Sequence, residues 1–226
     1  MKLKMYNNHA VADYDGSLYI VDTGSPVAFR FDRADSIQIN GLAFELSAPV
    51  CRKESLDKLA GTNVSGLIGM NVIAKTGLTI DLENGTLDFS ADGRNVPDET
   101  EAVISFDLFG GYYIVTSDVC LNTPLKNAIL DTGAPVPYIS GRLISGLTPT
   151  GEYYEDFSPS FGSLSGEYLR GELSVPETAL SRSVKFGRMP QVLDMFGMFD
   201  AILGITALTD KKVVFDFDRK EIRIKL

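Results

Sequence analysis

Val21-Asp22-Thr23-Gly24-Ser25-Pro26-Val27 and Leu130-Asp131-Thr132-Gly133-Ala134-Pro135-Val136 are one pattern met twice, 131 − 22 = 109 positions apart in a chain of 226 residues. Each copy follows an apolar, strand-like run, Leu18-Tyr-Ile-Val21 and Ala128-Ile-Leu130. Downstream, Gly66-Leu-Ile-Gly69 is echoed by Ala201-Ile-Leu-Gly204, and twelve positions after each last glycine stands an aspartate, Asp81 or Asp216. Both aspartates fall in alternating hairpin patterns, Leu78 to Phe89 with an Asn84-Gly85 turn and Val213 to Ile224. Matched features in the same order mark a duplicated unit.

The polar, Gly- and Pro-bearing stretch from Ala91 to Glu101 is the expected seam, giving a first lobe over residues 1–95 and a second over 96–226. Tyr14 to Ser17, Asn40-Gly41 and Gly110-Gly111 punctuate short apolar runs, and the helical candidates are few: Glu54 to Ala60, Met70 to Ala74, Ser140 to Ile144 and Ala207 to Lys211. The fold class is therefore all-β, two pseudo-twofold lobes with a cleft between them. From aspartate to trailing glycine the first copy takes 69 − 22 = 47 residues and the second 204 − 131 = 73, so the second holds 73 − 47 = 26 more. Around Phe157 to Val175 these read as a long projecting hairpin with a Gly/Ser tip.

Composition removes most other chemistries. At 44% hydrophobic and 23% charged the chain is globular, and a net charge of −9 with no basic cluster longer than Lys211-Lys212 argues against nucleic acid. No apolar run approaches the ~20 residues that span a bilayer, and the polar start Met1-Lys-Leu-Lys lacks a signal-like stretch, so neither membrane nor export is expected and the location predicted is cytoplasmic. One histidine, His9, in a polar N-terminal segment reads as solvated, and it rules out a multi-His metal site. Cys51 and Cys120, 69 positions apart, read as reduced, buried thiols that fill the core. Carboxylates remain for acid/base work, and no cofactor or metal is expected.

An aspartate at a strand end followed by Thr and Gly sits in a tight loop that a neighbouring backbone can approach closely. Pseudo-twofold packing then brings Asp22 and Asp131 face to face, where two carboxyls cannot both ionise cheaply and hold one proton between them. One can deprotonate a water while its partner polarises a carbonyl.

At these residues the chain resembles the pepsin and retropepsin superfamily of aspartic proteases: apolar residues, Asp-Thr-Gly-(Ser/Ala), then two apolar residues and Gly, then a closing hairpin, in both halves. Its length is similar to two retropepsin subunits fused in tandem. The resemblance implies an aspartic endopeptidase with Asp22 and Asp131 catalytic and its site formed within one monomeric chain. It implies that Thr23 and Thr132 bond across the lobes and that Gly24 and Gly133 open the dyad to a shared water, and it names peptide or protein as the substrate. Phe161 and Gly162 fall where a flap tip would stand, although pepsins carry the flap in the first half. The expectation here is one hairpin over residues 153–175 covering the dyad, the first half adding only a stub near Asn40-Gly41.

Further carboxylates, Asp81 and Asp216 included, read as hairpin and surface residues, and Tyr112, Tyr113, Tyr153 and Tyr154 as core and rim more than cleft. Ala134 stands where the first loop has Ser25, whose hydroxyl can donate to an aspartate and favour its ionised form; without one, the second loop is expected to keep its proton to higher pH. Two rivals are a catalytically silent peptide-binding module on the same fold and a phosphotransferase with Asp-Thr-Gly nucleotide loops. The second would need βαβ alternation, which this strand-rich chain lacks.

Overall fold

Two-residue turns set the first three strands. In the computed structural model, which describes residues 1–90, 101–158 and 162–226, Asn7-Asn8 joins strand Lys2–Tyr6 to His9–Tyr14, and Asp15-Gly16 joins that strand to Ser17–Val21. All four turn residues have positive φ, from 46° to 72°, the geometry whose twist matches that of the strands it connects. Most of the expected seam, residues 91–100, lies outside the described residues, as does Phe161.

The duplicated motifs become duplicated pairings. Ser17–Val21 lies parallel to Gly66–Ile68 with Val21 opposite Ile68, and Ala128–Leu130 lies parallel to Ala201–Leu203 with Leu130 opposite Leu203. All four opposed residues are buried. These apolar runs do not alternate because both faces of the strands are covered.

The closing hairpins meet one another. Lys212–Asp216 pairs antiparallel with Leu78–Asp81, Val213 opposite Ile80, so hairpins from the two halves run on in one ten-stranded sheet with Glu101–Ser105 at its edge. Leu78, Ile80, Ile104, Val213, Phe215 and Ile222 pack into the large core that this sheet covers. A second ten-stranded sheet belongs to the second half and contains the long hairpin, Thr148–Ser158 paired with Gly162–Ser174. The extra length of the second half falls in the region of that hairpin, whose register closes at Ser158 opposite Gly162. The helical segments are Lys53–Ala60, Met70–Thr76, Gln191–Asp194 and Ile205–Leu208, with a 3₁₀ turn at Gly141–Gly146. No helix among the described residues is long and apolar enough to cross a membrane.

Several sequence expectations change. His9 is not solvated: it opens the second strand and is 0% exposed, because the Asn7-Asn8 turn folds it back onto Tyr6 instead of leaving it in a tail. Cys51 and Cys120 are free but only half-buried. Asp216 is buried, not a surface residue.

The repeated aspartates cap their turns. Asp81 Oδ1 accepts from the Asn84 N–H at 2.9 Å, and Asp216 Oδ1 from the Asp218 and Arg219 N–H groups at 3.1 and 3.0 Å. Asp216 also faces the buried Arg223, 4.0 Å away, whereas Asp81 lies near the surface. Removing the partner of a buried cation costs far more than removing a turn cap. Asp216→Ala is therefore expected to lower stability by about 3 kcal/mol and Asp81→Ala by about 1 kcal/mol, measured as urea midpoints; equal losses would contradict the burial argument.

Candidate active site

Each Asp-Thr-Gly loop hangs from the end of a buried strand by a backbone bond: the Asp22 N–H donates to Ile68 O at 3.0 Å and the Asp131 N–H to Leu203 O at 2.9 Å. The threonines then cross between the halves. The Thr23 N–H donates to Thr132 Oγ1 and the Thr132 N–H to Thr23 Oγ1, both at 3.0 Å. The two hydroxyls pass their own protons onward, Thr23 to Leu130 O at 2.8 Å and Thr132 to Val21 O at 2.7 Å. Both threonines are fully buried, so each is satisfied only by the other loop.

The glycines let this happen. Gly24 N–H donates to Asp22 Oδ1 at 2.7 Å and Gly133 N–H to Asp131 Oδ1 at 2.8 Å. A Cβ on Gly24 would run into the Asp131 carboxyl, and one on Gly133 into the Asp22 carboxyl. The trailing glycines act one layer below: a Cβ on Gly69 would strike the Val27 and Ser25 carbonyls, and one on Gly204 the Ala134 carbonyl. All the sequence-predicted loop residues, Asp22 to Ser25 and Asp131 to Ala134, are thus brought together, with the carboxyls of Asp22 and Asp131 in hydrogen-bonding reach.

Protein crowds both carboxyls except on the face each turns to the cleft. Burial pushes both above the ordinary carboxylate range, and the Asp131 charge pushes Asp22 further. One correction concerns Ser25. Its hydroxyl donates to Val27 O at 2.9 Å and not to Asp22, so the Ser25/Ala134 difference does not set the proton affinity of the two sides. Enclosure raises the pair instead.

A cavity of about 630 Å³ opens over the dyad. Its walls are mainly apolar, including Ile20, Leu56, Leu67, Ile129, Phe199 and Ile202. Asp156 and Leu164, one from each arm of the long hairpin, line this same cavity. Gly162 begins the returning arm with φ 77°, while Phe161 lies outside the described residues. In the first half the wall comes from Val50, Cys51, Leu56 and Leu59, and not from the hairpin at Asn40-Gly41, which forms its own two-stranded sheet. Of the four tyrosines, Tyr113 lines the cleft, Tyr112 and Tyr153 are exposed, and Tyr154 is buried.

Asp156 escaped the sequence reading, which treated carboxylates outside the loops as surface groups. Its Oδ2 accepts from the Tyr138 hydroxyl at 2.6 Å, tying the hairpin to the segment just after the second loop. Burial and then Asp156 raise the Tyr138 phenol well above its usual value, so it stays a donor. Tyr138 stands seven positions after Asp131, but three acids, Glu152, Glu155 and Asp156, share the hairpin strand, so no sequence signal singles out Asp156 as its partner.

No protein-family model and no curated protein matches the chain. Among solved structures, the basic 7S globulin from soybean is similar at a TM-score of 0.58 and 9% identity, over 100% of this chain and 94% of that one. The architecture is the pepsin-like two-lobed β fold; at this identity the likeness extends to the fold and not to chemistry.

Two outcomes test the site. Thr23→Val and Thr132→Val each strand a buried N–H and a buried carbonyl, so each is expected to cost about 3 kcal/mol in denaturant titrations, and the double variant less than the sum because both open one interface. For the dyad, a native proton held above the unfolded carboxylate range means stability is lost as pH rises from that range through the native titration. Asp22→Asn cannot ionise and so should gain on the wild type as pH rises above the ordinary carboxylate range, read as melting temperature against pH. A variant that instead falls behind as pH rises would contradict a proton-sharing pair.

Proposed function

We propose that the chain is an aspartic endopeptidase whose lobes, residues 1–95 and 96–226, each supply one catalytic carboxyl, Asp22 and Asp131. The observation that carries the proposal is the reciprocal packing of the two loops, in which each carboxyl lies over the other loop's glycine at the floor of a cleft of about 630 Å³.

With one proton on the pair, the ionised carboxylate removes a proton from a bound water as the water oxygen attacks the peptide carbonyl carbon. The protonated partner gives its proton to the carbonyl oxygen, forming a neutral tetrahedral diol. Collapse of the diol breaks the C–N bond, with a proton passed from the dyad to the leaving nitrogen and the other returned from the diol. Metal, cofactor and covalent intermediate have no part in this sequence. Thr23, Thr132, Gly24 and Gly133 hold the geometry, while Ser25 and Ala134 seat the loops on Gly69 and Gly204.

An extended peptide suits the cleft. The long hairpin contributes Asp156 and Leu164 to one wall, and it is proposed as the cover that pairs with substrate and excludes water, with Gly162 opening its returning arm. The bond from Tyr138 to Asp156 holds the hairpin, close to its turn, against the segment that follows the second loop. Elevated carboxyls keep the singly protonated pair available at higher pH than two ordinary aspartates would.

Asp22→Asn or Asp131→Asn alone is expected to lower kcat/KM on a denatured protein by about 10²–10⁴-fold with the fold retained. Appreciable turnover by either folded single variant would sink the mechanism. Tight binding of a statine-bearing peptide by a wild type that never turns over substrate would instead identify a peptide-binding module.

A further inference from the structure

Beside the apolar cleft lies a second cavity of about 620 Å³ with a different lining. Leu59, Pro135, Asp156 and Leu164 border both, so the two are immediate neighbours. The second cavity is lined by acceptors: Glu155 and Asp156 from the hairpin, with the side-chain carbonyls of Asn7 and Asn8 available from the first turn. Lys58 is the one cation in this lining.

Its floor holds His9. The ring is 0% exposed, and neither Nδ1 nor Nε2 has a partner at hydrogen-bonding geometry, although the Gly133 and Leu59 carbonyls lie nearby. Burial lowers the imidazole's proton affinity more than Asp156 raises it, so the ring is held neutral and keeps an acceptor nitrogen. A buried polar group without a partner is costly and calls for a ligand or an ordered water. Two carboxylates against one ammonium, beside a neutral imidazole that brings no competing charge, fit a ligand that is cationic and rich in donors.

We propose that this pocket is a substrate subsite for a guanidinium or ammonium group, placed along an extended peptide beyond the residues that flank the scissile bond. The proposal presupposes the peptidase activity above and adds a charge preference that the apolar cleft cannot supply. Asp156 serves both cavities, steadying the hairpin through Tyr138 and presenting its carboxylate side to the cation. His9 and Glu155 are specificity residues; they touch no reacting atom.

The test uses the full chain and a peptide series with arginine, lysine or citrulline moved through the positions on either side of one cleavable bond. Each peptide is made with a free and an acetylated N-terminus. Citrulline keeps the shape of arginine and loses its charge. The expected result is a preference of about tenfold in kcat/KM for arginine over citrulline at one outlying position, reduced toward unity in Glu155→Gln. An advantage that follows the free N-terminus would make the terminal ammonium the source of the cation, and one that follows the residue would make it the side chain. A second readout is independent of turnover. The chain contains a single histidine, so its imidazole C–H proton resonance reports this pocket alone, and saturating arginine peptide should shift it in Asp22→Asn where the citrulline peptide does not. Cleavage of the whole series with no cation preference, or a His9 signal unmoved by a peptide that binds, overturns the subsite while leaving the peptidase standing. Absence of turnover on any peptide and on denatured protein overturns both.

Discussion

Two threonine hydroxyls, each accepting from the other loop's backbone N–H, decide where everything else in the centre of this molecule can sit. Neither threonine reaches water, so neither loop is satisfied without its counterpart. The exchange fixes the separation of two strand ends and, through the glycines next in sequence, brings a carboxyl from each half into the other's reach. That proximity sets the chemistry: enclosure raises both acids, and mutual repulsion leaves one proton for two groups. Two identical side chains in near-identical loops thus come to differ in protonation.

The duplicated elements were legible in the sequence because every one of them repeats a backbone requirement. An apolar run, an acid, two small residues and a later glycine recur because each half needs a buried strand, a turn held by its own carboxylate, and a position with no Cβ beneath the loop. The alternation around Asp81 and Asp216 likewise announced hairpins. What repetition cannot disclose is environment. Asp81 and Asp216 hold the same turn position, yet one is near solvent and the other is buried facing Arg223, a neighbour from its own hairpin for which the first copy gives no template.

The misreadings share a cause. His9, Asp156 and Tyr138 acquire their surroundings from segments far away in the chain, across the lobes or across the long hairpin, and no local pattern encodes such neighbours. His9 was judged by its polar flank, but Asn7 and Asn8 form a tight turn and reverse the strand direction. Ser25 was given an acceptor by proximity in sequence, and its hydroxyl found the carbonyl of Val27 instead. The first half was expected to add only a stub at Asn40-Gly41; its contribution to the cleft lining includes the strand residues Ile20 and Leu67 as well as Leu56 and Leu59 of the helix, apolar side chains that no turn pattern announces.

The pairing of the two closing hairpins bears on how the chain is made. Strand Leu78–Asp81 is made 212 − 81 = 131 positions before its neighbour Lys212–Asp216, and Glu101–Ser105 must wait for Glu221–Lys225 as well. Until then the first half carries an open row of backbone donors and acceptors beside Ile80 and Leu78. Such an edge invites pairing with another nascent copy, and contacts of this sequence separation form slowly. Continuity of the sheet therefore joins the halves in the finished molecule and leaves its precursor exposed to aggregation while the residues between those strands are being made.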